Sequence, residues 1–253
     1  MREIAKPLEE NKEVKKESLQ NVLAEQNLEL VSDRQTLSGG FCGPIYLLEV
    51  QDKKTQEKFQ VVEKTFSGIK GERYIIEDAE EAGAEKEVRS RLGLVDKESG
   101  EIKQVIVDWL YNEDRALKDL AGIPGIPKSY GPVYEGIKGS ILEQFVDGFD
   151  LYFIDDNVNS EQEIAAVFAK IKETYTQAAK KGYIYNNPVG ATIMVEKDTA
   201  QPYFIDWYNH SMGSIDSDGP VKEKFEAGLM AIDEREKWMI DSFRAKQKSK
   251  KTV

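Results

Sequence analysis

Three features of the sequence offer residue types that bind phosphate groups or divalent cations. The glycine cluster at residues 39–43 precedes an apolar run, and glycine lets backbone amides approach a ligand without a Cβ clash. Lys64 follows an apolar run and offers an ammonium group, and Asp206 follows another and offers a carboxylate, a ligand that Mg²⁺ accepts. These groups can act together only if the fold brings them to one place.

Two hairpins are predicted to position these residues. Apolar runs at 45–50 and 59–62 flank a polar turn, which is typical of an antiparallel hairpin directly behind the glycine cluster. A second hairpin is predicted from the runs 192–195 and 203–207 around another polar turn. Two further short strands are predicted at 131–134 and 140–146.

Helical periodicity is clearest in two segments. Apolar residues recur at helical spacing from Val105 to Leu120, before a stretch rich in glycine and proline. Ser160 with Glu163 forms a capping-box pattern ahead of a helix that extends to Gly182. The other predicted helices are a solvated helix or flexible arm at 6–26, a helix at 80–92, and one or two helices after Pro220.

This order of elements, with the motifs that it carries, resembles the protein-kinase-like superfamily over about residues 37–207. Residues 37–45 fit the phosphate-loop pattern G-x-G-x-x-G-x-V with Ser38 at the first glycine, and residues 61–64 fit V-A-I-K. Residues 206–208 resemble D-F-G, with its aspartate intact. The reduced C-terminal part is similar to compact bacterial, injected effector-type and RIO-type kinases. The resemblance implies an α+β, two-lobed fold with a small antiparallel-sheet N-lobe and a reduced helical C-lobe.

The resemblance also implies a site that binds ATP and Mg²⁺. Lys64 would neutralise the phosphates and pair with a helix glutamate. Glu113 is the preferred partner of Lys64, and Glu85 and Glu87 are the alternatives. The linker strand would pair with adenine through its backbone, in a register left open between Glu143 and Gln144. The implied nucleotide-binding residues are Ser38, Gly40, Gly43, Ile45, Lys64, Glu113, Gln144 and Phe145.

The catalytic loop departs from the family pattern H-R-D-x-x-x-x-N. Tyr185 stands at the histidine, Asn187 at the aspartate, and Thr192, five residues later, at the asparagine. An amide cannot accept a proton at neutral pH, and threonine is a weaker metal ligand than asparagine. The implied catalytic residues are therefore Asn187, Asp206 and Lys64, and the implied metal ligands are Asp206 and Thr192. Asp198 is an acid that could substitute for the missing carboxylate.

The sequence divides into four predicted segments. These are an N-terminal helical or flexible arm at 1–33, an N-lobe at 34–147 with an insertion near 66–104, a reduced C-lobe at 148–245, and a basic tail at 246–253.

Several functions are compatible with these residues. The first is a pseudokinase or weak phosphotransferase that acts on or through a protein partner, because phosphoryl transfer depends mostly on positioning and electrostatics. The alternatives are an active Ser/Thr protein kinase with an unusual catalytic loop, nucleotidyl transfer from ATP, and an acidic interaction protein unrelated to kinases.

Composition excludes other classes. The formal net charge of -11 argues against nucleic-acid binding, which needs a basic surface. A single cysteine, Cys42, excludes an internal disulfide, and with the single histidine, His210, it leaves no zinc-type cluster. The sequence has no apolar stretch long enough for a membrane span or a cleavable signal. A cytoplasmic protein is expected, in a bacterium or, for an injected effector, in its host.

Overall fold

The computed structural model describes residues 18–40, 43–66, 104–135, 138–190, 192–207 and 210–250. Within these ranges the chain combines antiparallel β-sheets with α-helices, in agreement with the α+β prediction. The predicted helix at 80–92, the alternative glutamates Glu85 and Glu87, and nearly all of the predicted insertion lie outside the described residues. No helix in the described ranges is long and apolar enough to cross a membrane.

The helices and strands confirm the two predicted hairpins, the helix from Val105 and the helix capped by Ser160. The helices are α1 (Leu19–Glu25), α2 (Gln104–Asp119), α3 (Ile154–Asn157), α4 (Glu161–Lys180) and α5 (Pro220–Lys250), with a 3₁₀ turn at Leu151–Phe153. The strands are β1 (Leu28–Leu30), β2 (Gln35–Gly40), β3 (Gly43–Asp52), β4 (Lys58–Phe66), β5 (Ser129–Glu135), β6 (Lys138–Gln144), β7 (Gly148–Asp150), β8 (Tyr183–Tyr185), β9 (Ile193–Glu196), β10 (Pro202–Phe204) and β11 (His210–Met212).

The larger sheet carries the glycine-containing hairpin and Lys64. Its strand order is β1–β3–β4–β6–β5, with β2 paired to β3, and each pairing is antiparallel. One row across the sheet pairs Ser38 with Ile45, Ile45 with Lys64, and Lys64 with Ile141. Lys64 therefore lies on a central strand, in line with the hairpin of β2 and β3.

The turn between β3 and β4 is closed by its own side chains. Asp52 Oδ1 accepts the backbone N–H of Lys54 at 2.7 Å and that of Thr55 at 3.0 Å, the local pairing that favours Asp in turns. Gln56 takes a positive φ of 61° before β4 begins. This turn fixes the register that places Lys64 opposite Ile45.

Helices α1 and α2 cover opposite faces of the larger sheet. Leu142 belongs to the core formed with α1, whereas its neighbour Ile141 belongs to the core formed with α2 and the C-terminal helices. Successive residues of a strand point to opposite faces. From Leu19 onward, the segment predicted as an arm is thus folded onto the sheet, since the α1 residue Leu23 is only 2% exposed and β1 pairs with β3.

Helix α4 begins where the capping-box pattern predicts. Ser160 Oγ accepts the backbone N–H of Glu163 at 3.2 Å, and the Glu163 carboxylate accepts the N–H of Asn159 at 2.9 Å. In a standard capping box the Glu163 side chain would accept the N–H of Ser160 itself, whereas here it accepts the N–H of the residue before it. The inward face of α4 supplies the centre of the larger core, with Phe168 and Ile171 fully buried.

Two short sheets connect α4 to the segment around Asp206. Strands β10, β9 and β7 form one antiparallel sheet, and β11 and β8 form the other. The turn of the β9–β10 hairpin lies at one end, while Thr192 and Ile205 meet at the other, where Ile205 N–H donates to Thr192 O at 2.9 Å. Asp206 comes immediately after that second end.

One continuous helix, α5, occupies the C-terminal segment where one or two helices were predicted. Its middle packs on α4, where Lys172 lies 2.6 Å from Asp233 and 2.7 Å from Glu236. The basic segment predicted as a tail from residue 246 is helical through Lys250, and Lys246 lies 2.6 Å from the Asp156 carboxylate. The Lys246–Asp156 pair joins the end of α5 to α3.

Candidate functional site

Lys64 joins three carboxylates from different parts of the chain. Its Nζ lies 2.8 Å from Glu143 Oε2, 2.9 Å from Asp206 Oδ1 and 3.2 Å from Glu113 Oε1. The lysine side chain is 12% exposed. The structure thus brings together Lys64, Glu113 and Asp206 of the predicted residues, and it adds Glu143. We call these four residues the Lys64 cluster.

Glu113 is the buried anchor of the cluster. It is placed by α2, whose inward face carries Leu110 and Leu117 into the core beside it. The oxygen that contacts Lys64 also accepts the backbone N–H of Trp207 at 3.1 Å. Burial raises the pKa of Glu113 well above its usual range, and the nearby carboxylates of Glu143 and Asp206 add to that effect against the opposing charge of Lys64.

Asp206 sits in a backbone conformation that residues other than glycine seldom adopt. Its φ is +66°, and such strain persists where the surroundings fix the chain. Here both neighbours are held, Ile205 by its N–H bond to Thr192 O and Trp207 by its N–H bond to Glu113. The Asp206 side chain is 33% exposed, so it is the carboxylate of the cluster that solvent reaches.

Glu143 reaches Lys64 because of the strand register. Residue 62 of β4 pairs with Glu143 of β6, so Lys64 and Glu143 are diagonal neighbours on one face of the sheet. The Glu143 side chain is 2% exposed, and its Oε1 is buried with no hydrogen-bond partner. The sequence gives its position on a strand but not its register against β4, which is why only the structure identifies it.

The electrostatics of the cluster favour a charged lysine. Burial alone lowers the pKa of an ammonium group, but the charges of Asp206, Glu113 and Glu143 outweigh burial and hold the Lys64 pKa well above its usual range. Asp206, with its side chain 33% exposed, is the carboxylate of the cluster that a further cation can reach.

Asp206 and Thr192 fit the metal role that the kinase resemblance implies, with help from a ligand. Within the described residues, no group of three His, Cys, Asp or Glu side chains could hold a metal ion by itself. Thr192 Oγ1 is buried without a hydrogen-bond partner, next to the segment that carries Asp206. Mg²⁺ is commonly held by one or two carboxylates together with phosphate oxygens and water. This donor set suits Mg²⁺ that arrives with a nucleotide.

Asn187 lies outside the Lys64 cluster and is exposed, on the turn after β8. Its side chain lies against Gly190, where a Cβ would come within 2.2 Å of Asn187 Nδ2. Tyr185, at the histidine position of the family pattern, is buried and donates its O–H to the Ile205 carbonyl. Burial raises the Tyr185 pKa well above its usual range, so this phenol stays protonated.

Asp198 is not placed to supply the missing carboxylate. It lies in the exposed turn of the β9–β10 hairpin, at the opposite end from Ile205 and Asp206. A four-residue strand rises roughly 10 Å from end to end. The structure therefore separates Asp198 from the Lys64 cluster by the length of the hairpin.

The remaining predicted residues lie on the larger sheet and at its edge. The glycine hairpin pairs Gly40 with Gly43, and residues 41 and 42, including Cys42, lie outside the described residues. Gln144 ends β6, where its backbone N–H donates to Lys128 O at 2.8 Å and its side chain accepts the Lys128 N–H at 3.3 Å. Phe145 follows, partly buried, in the connection to β7.

No protein-family model matches this sequence, and a search of curated proteins returns no match. The resemblance to the protein-kinase-like superfamily therefore stays a prediction from the sequence motifs.

Proposed function

We propose that this chain is a nucleotide-binding protein with a two-lobed, protein-kinase-like fold, in which the Lys64 cluster marks the phosphate end of the cleft. The observation that carries the proposal is the contact of Lys64 with both Glu113 and Asp206. Protein kinases need a strand lysine paired with a helix glutamate, together with a magnesium-binding aspartate. The glycine hairpin in line with Lys64 supports the same assignment.

The ligand in this proposal is ATP with Mg²⁺. Asp206 and Thr192 would hold the metal, which supplies charge neutralisation at the phosphates. Ser38, Gly40, Gly43 and Ile45 would face the phosphates from the hairpin. The connection after β6, with Gln144 and Phe145, would run past the base.

Weak phosphotransfer follows from the catalytic loop. A general base must accept a proton, and the amide of Asn187 cannot. Asp198 lies a hairpin's length away from Asp206. The chain therefore keeps the groups that bind a nucleotide while lacking the group that activates an acceptor, which is the pattern of a pseudokinase or a weak phosphotransferase.

Action through a protein partner is supported by an exposed aromatic group beside the C-terminal helix. Tyr152, Phe153 and Trp238 are 43%, 58% and 54% exposed, and Arg235 stacks 4.3 Å from the Tyr152 ring and 4.8 Å from the Trp238 ring. Tryptophan, tyrosine and arginine are enriched at the centres of protein interfaces.

A thermal-shift titration with ATP and MgCl₂ tests nucleotide binding. We expect the melting temperature to rise with ATP in the wild type and to rise less in Lys64→Ala. The matched control is Lys58→Ala, which removes an exposed lysine from the same strand and should respond like the wild type. If the melting temperature does not change at any ATP concentration, the proposal is wrong.

Labelled ATP then separates the activities. Binding without transfer identifies a pseudokinase, transfer of the γ-phosphate that is lost in Asp206→Ala identifies a kinase, and transfer of the α-phosphate identifies nucleotidylation. If the missing carboxylate limits the reaction, Asn187→Asp should raise γ-phosphate transfer about 100-fold. Asn186→Asp, one residue earlier, is the control and should leave transfer unchanged.

A further inference from the structure

We propose that Glu143 competes with nucleotide phosphates for Lys64 and biases the cleft towards nucleosides over nucleoside triphosphates. This inference rests on the proposed nucleotide-binding function. It assigns a specificity-determining role to a residue whose carboxylate contacts Lys64 at 2.8 Å, the shortest of the three contacts in the cluster.

Carboxylates surround the Lys64 ammonium group, which donates hydrogen bonds to Glu113 and Asp206 and forms an ion pair with Glu143. An ammonium group has three N–H donors, and three carboxylate oxygens lie within 3.2 Å of Nζ. A phosphate oxygen can therefore bind Lys64 only by replacing one of these oxygens. If Lys64 contacted only Glu113 and Asp206, its third donor would be available to a phosphate oxygen. Glu143 occupies that donor instead.

Glu143 is also fixed in place. Its side chain is 2% exposed on a central strand, and Glu113 is fully buried and bonded to Trp207 N–H. Asp206, at 33% exposed, is the member that can turn away. When Asp206 turns away, the Glu143 carboxylate still contacts Lys64 at 2.8 Å and offsets its charge, so a phosphate meets a partly neutralised ammonium group.

The consequence is a specific pattern of affinities. A nucleoside has no phosphate, so its binding does not depend on a free Lys64 donor. A triphosphate gains from Lys64 only after displacing a carboxylate. Hydrogen bonds between charged groups change affinity by about 10- to 100-fold. We therefore expect the wild type to bind ATP no more than about 10-fold more tightly than adenosine.

The experiment compares ATP and adenosine by isothermal titration calorimetry, with and without MgCl₂, in the wild type and Glu143→Gln. Glutamine keeps the shape of Glu143 and removes its charge. We expect ATP affinity to rise at least about 10-fold while adenosine affinity stays unchanged. In the Lys64→Ala background the same substitution should raise ATP affinity much less, because the competition requires the lysine.

The matched control is Glu63→Gln. Glu63 is a neighbouring buried glutamate on β4 that pairs with Arg34 and Ser140 instead of Lys64. This variant should leave the ratio of ATP to adenosine affinity unchanged. Thermal melts establish that each variant is folded, and Glu143→Leu provides a second charge-removing substitution should the glutamine variant fold poorly.

The outcomes separate the two proposals. If neither ATP nor adenosine binds any variant, the nucleotide-binding function fails. If both ligands bind and a folded Glu143 variant leaves the ratio of their affinities unchanged, the role of Glu143 is overturned, but the nucleotide-binding proposal is not. An equal change for ATP and adenosine also overturns it, since Glu143 would then act on the nucleoside rather than on the phosphates.

Discussion

Glu113 Oε1 lies 3.2 Å from Lys64 Nζ although 49 positions separate the two residues in the sequence. The same oxygen accepts the backbone N–H of Trp207, which is itself fully buried. One carboxyl oxygen therefore ties β4, α2 and the segment after β10 together. The contact is both a structural junction and part of the proposed site.

Removing Glu113 should destabilise the fold more than loss of an ordinary ion pair. We expect Glu113→Ala to lower the free energy of unfolding by about 3–5 kcal/mol, because it leaves Lys64 with one partner fewer and the Trp207 N–H with none. Glu113→Gln keeps an oxygen acceptor and should cost less. Urea unfolding at pH 7 measures both. The control is Glu226→Ala at an exposed site, whose free energy of unfolding should stay within about 0.5 kcal/mol of the wild type. An equally small change in Glu113→Ala would contradict the structural role of Glu113.

The Lys64–Glu113 contact shows how far sequence reasoning reaches. Local periodicity predicts a strand before Lys64 and a helix around Glu113, and both elements occur. Their pairing required a family pattern in addition, because periodicity predicts elements and not which elements touch. The hairpins, α2 and α4 were predictable for the same local reason.

Glu143 and α1 show where sequence reasoning stops. The contact of Glu143 with Lys64 depends on the register of β6 against β4, and a shift of one residue would turn the carboxylate to the other face of the sheet. Helix α1 has only seven residues, and only its tertiary packing, in a core shared with Leu48 and Leu142, shows that it belongs to the fold. The left-handed backbone of Asp206 is likewise a tertiary effect with no local signal.

Ser160 tests the cap that sequence alone predicts. We expect Ser160→Ala to lower the free energy of unfolding by about 1 kcal/mol, because the N–H of Glu163 loses its acceptor at the start of α4. Ser160→Asp should retain most of the stability. Ser249→Ala is the control, since that serine is exposed in the last turn of α5 and caps no N–H group. Equal stability of Ser160→Ala and the wild type in urea would show that the cap contributes nothing.

His210 should make stability depend on pH in the acidic range. Burial lowers the pKa of His210, with Arg115 adding to the effect against the bond that links Nδ1 to Trp207 O at 2.6 Å. The unfolded chain therefore takes up the proton first, at its usual pKa of about 6.5. The contribution of His210 is complete above that pH and is lost as the pH falls towards the folded pKa.

We compare thermal melts of the wild type and His210→Gln between pH 7.5 and 5, at steps of roughly half a pH unit. The comparison isolates the effect of His210 because the carboxylates titrate alike in both proteins. The wild type should lose melting temperature more steeply as the pH falls below about 6.5. The chain has a single histidine, so its imidazole proton signals in NMR are unambiguous and should titrate below the usual histidine range. If the melting temperatures of both proteins fall equally with pH and the imidazole pKa is ordinary, the prediction is wrong. Packing of the His210 ring, 5.0 Å from that of Tyr183, would then not oppose its protonation.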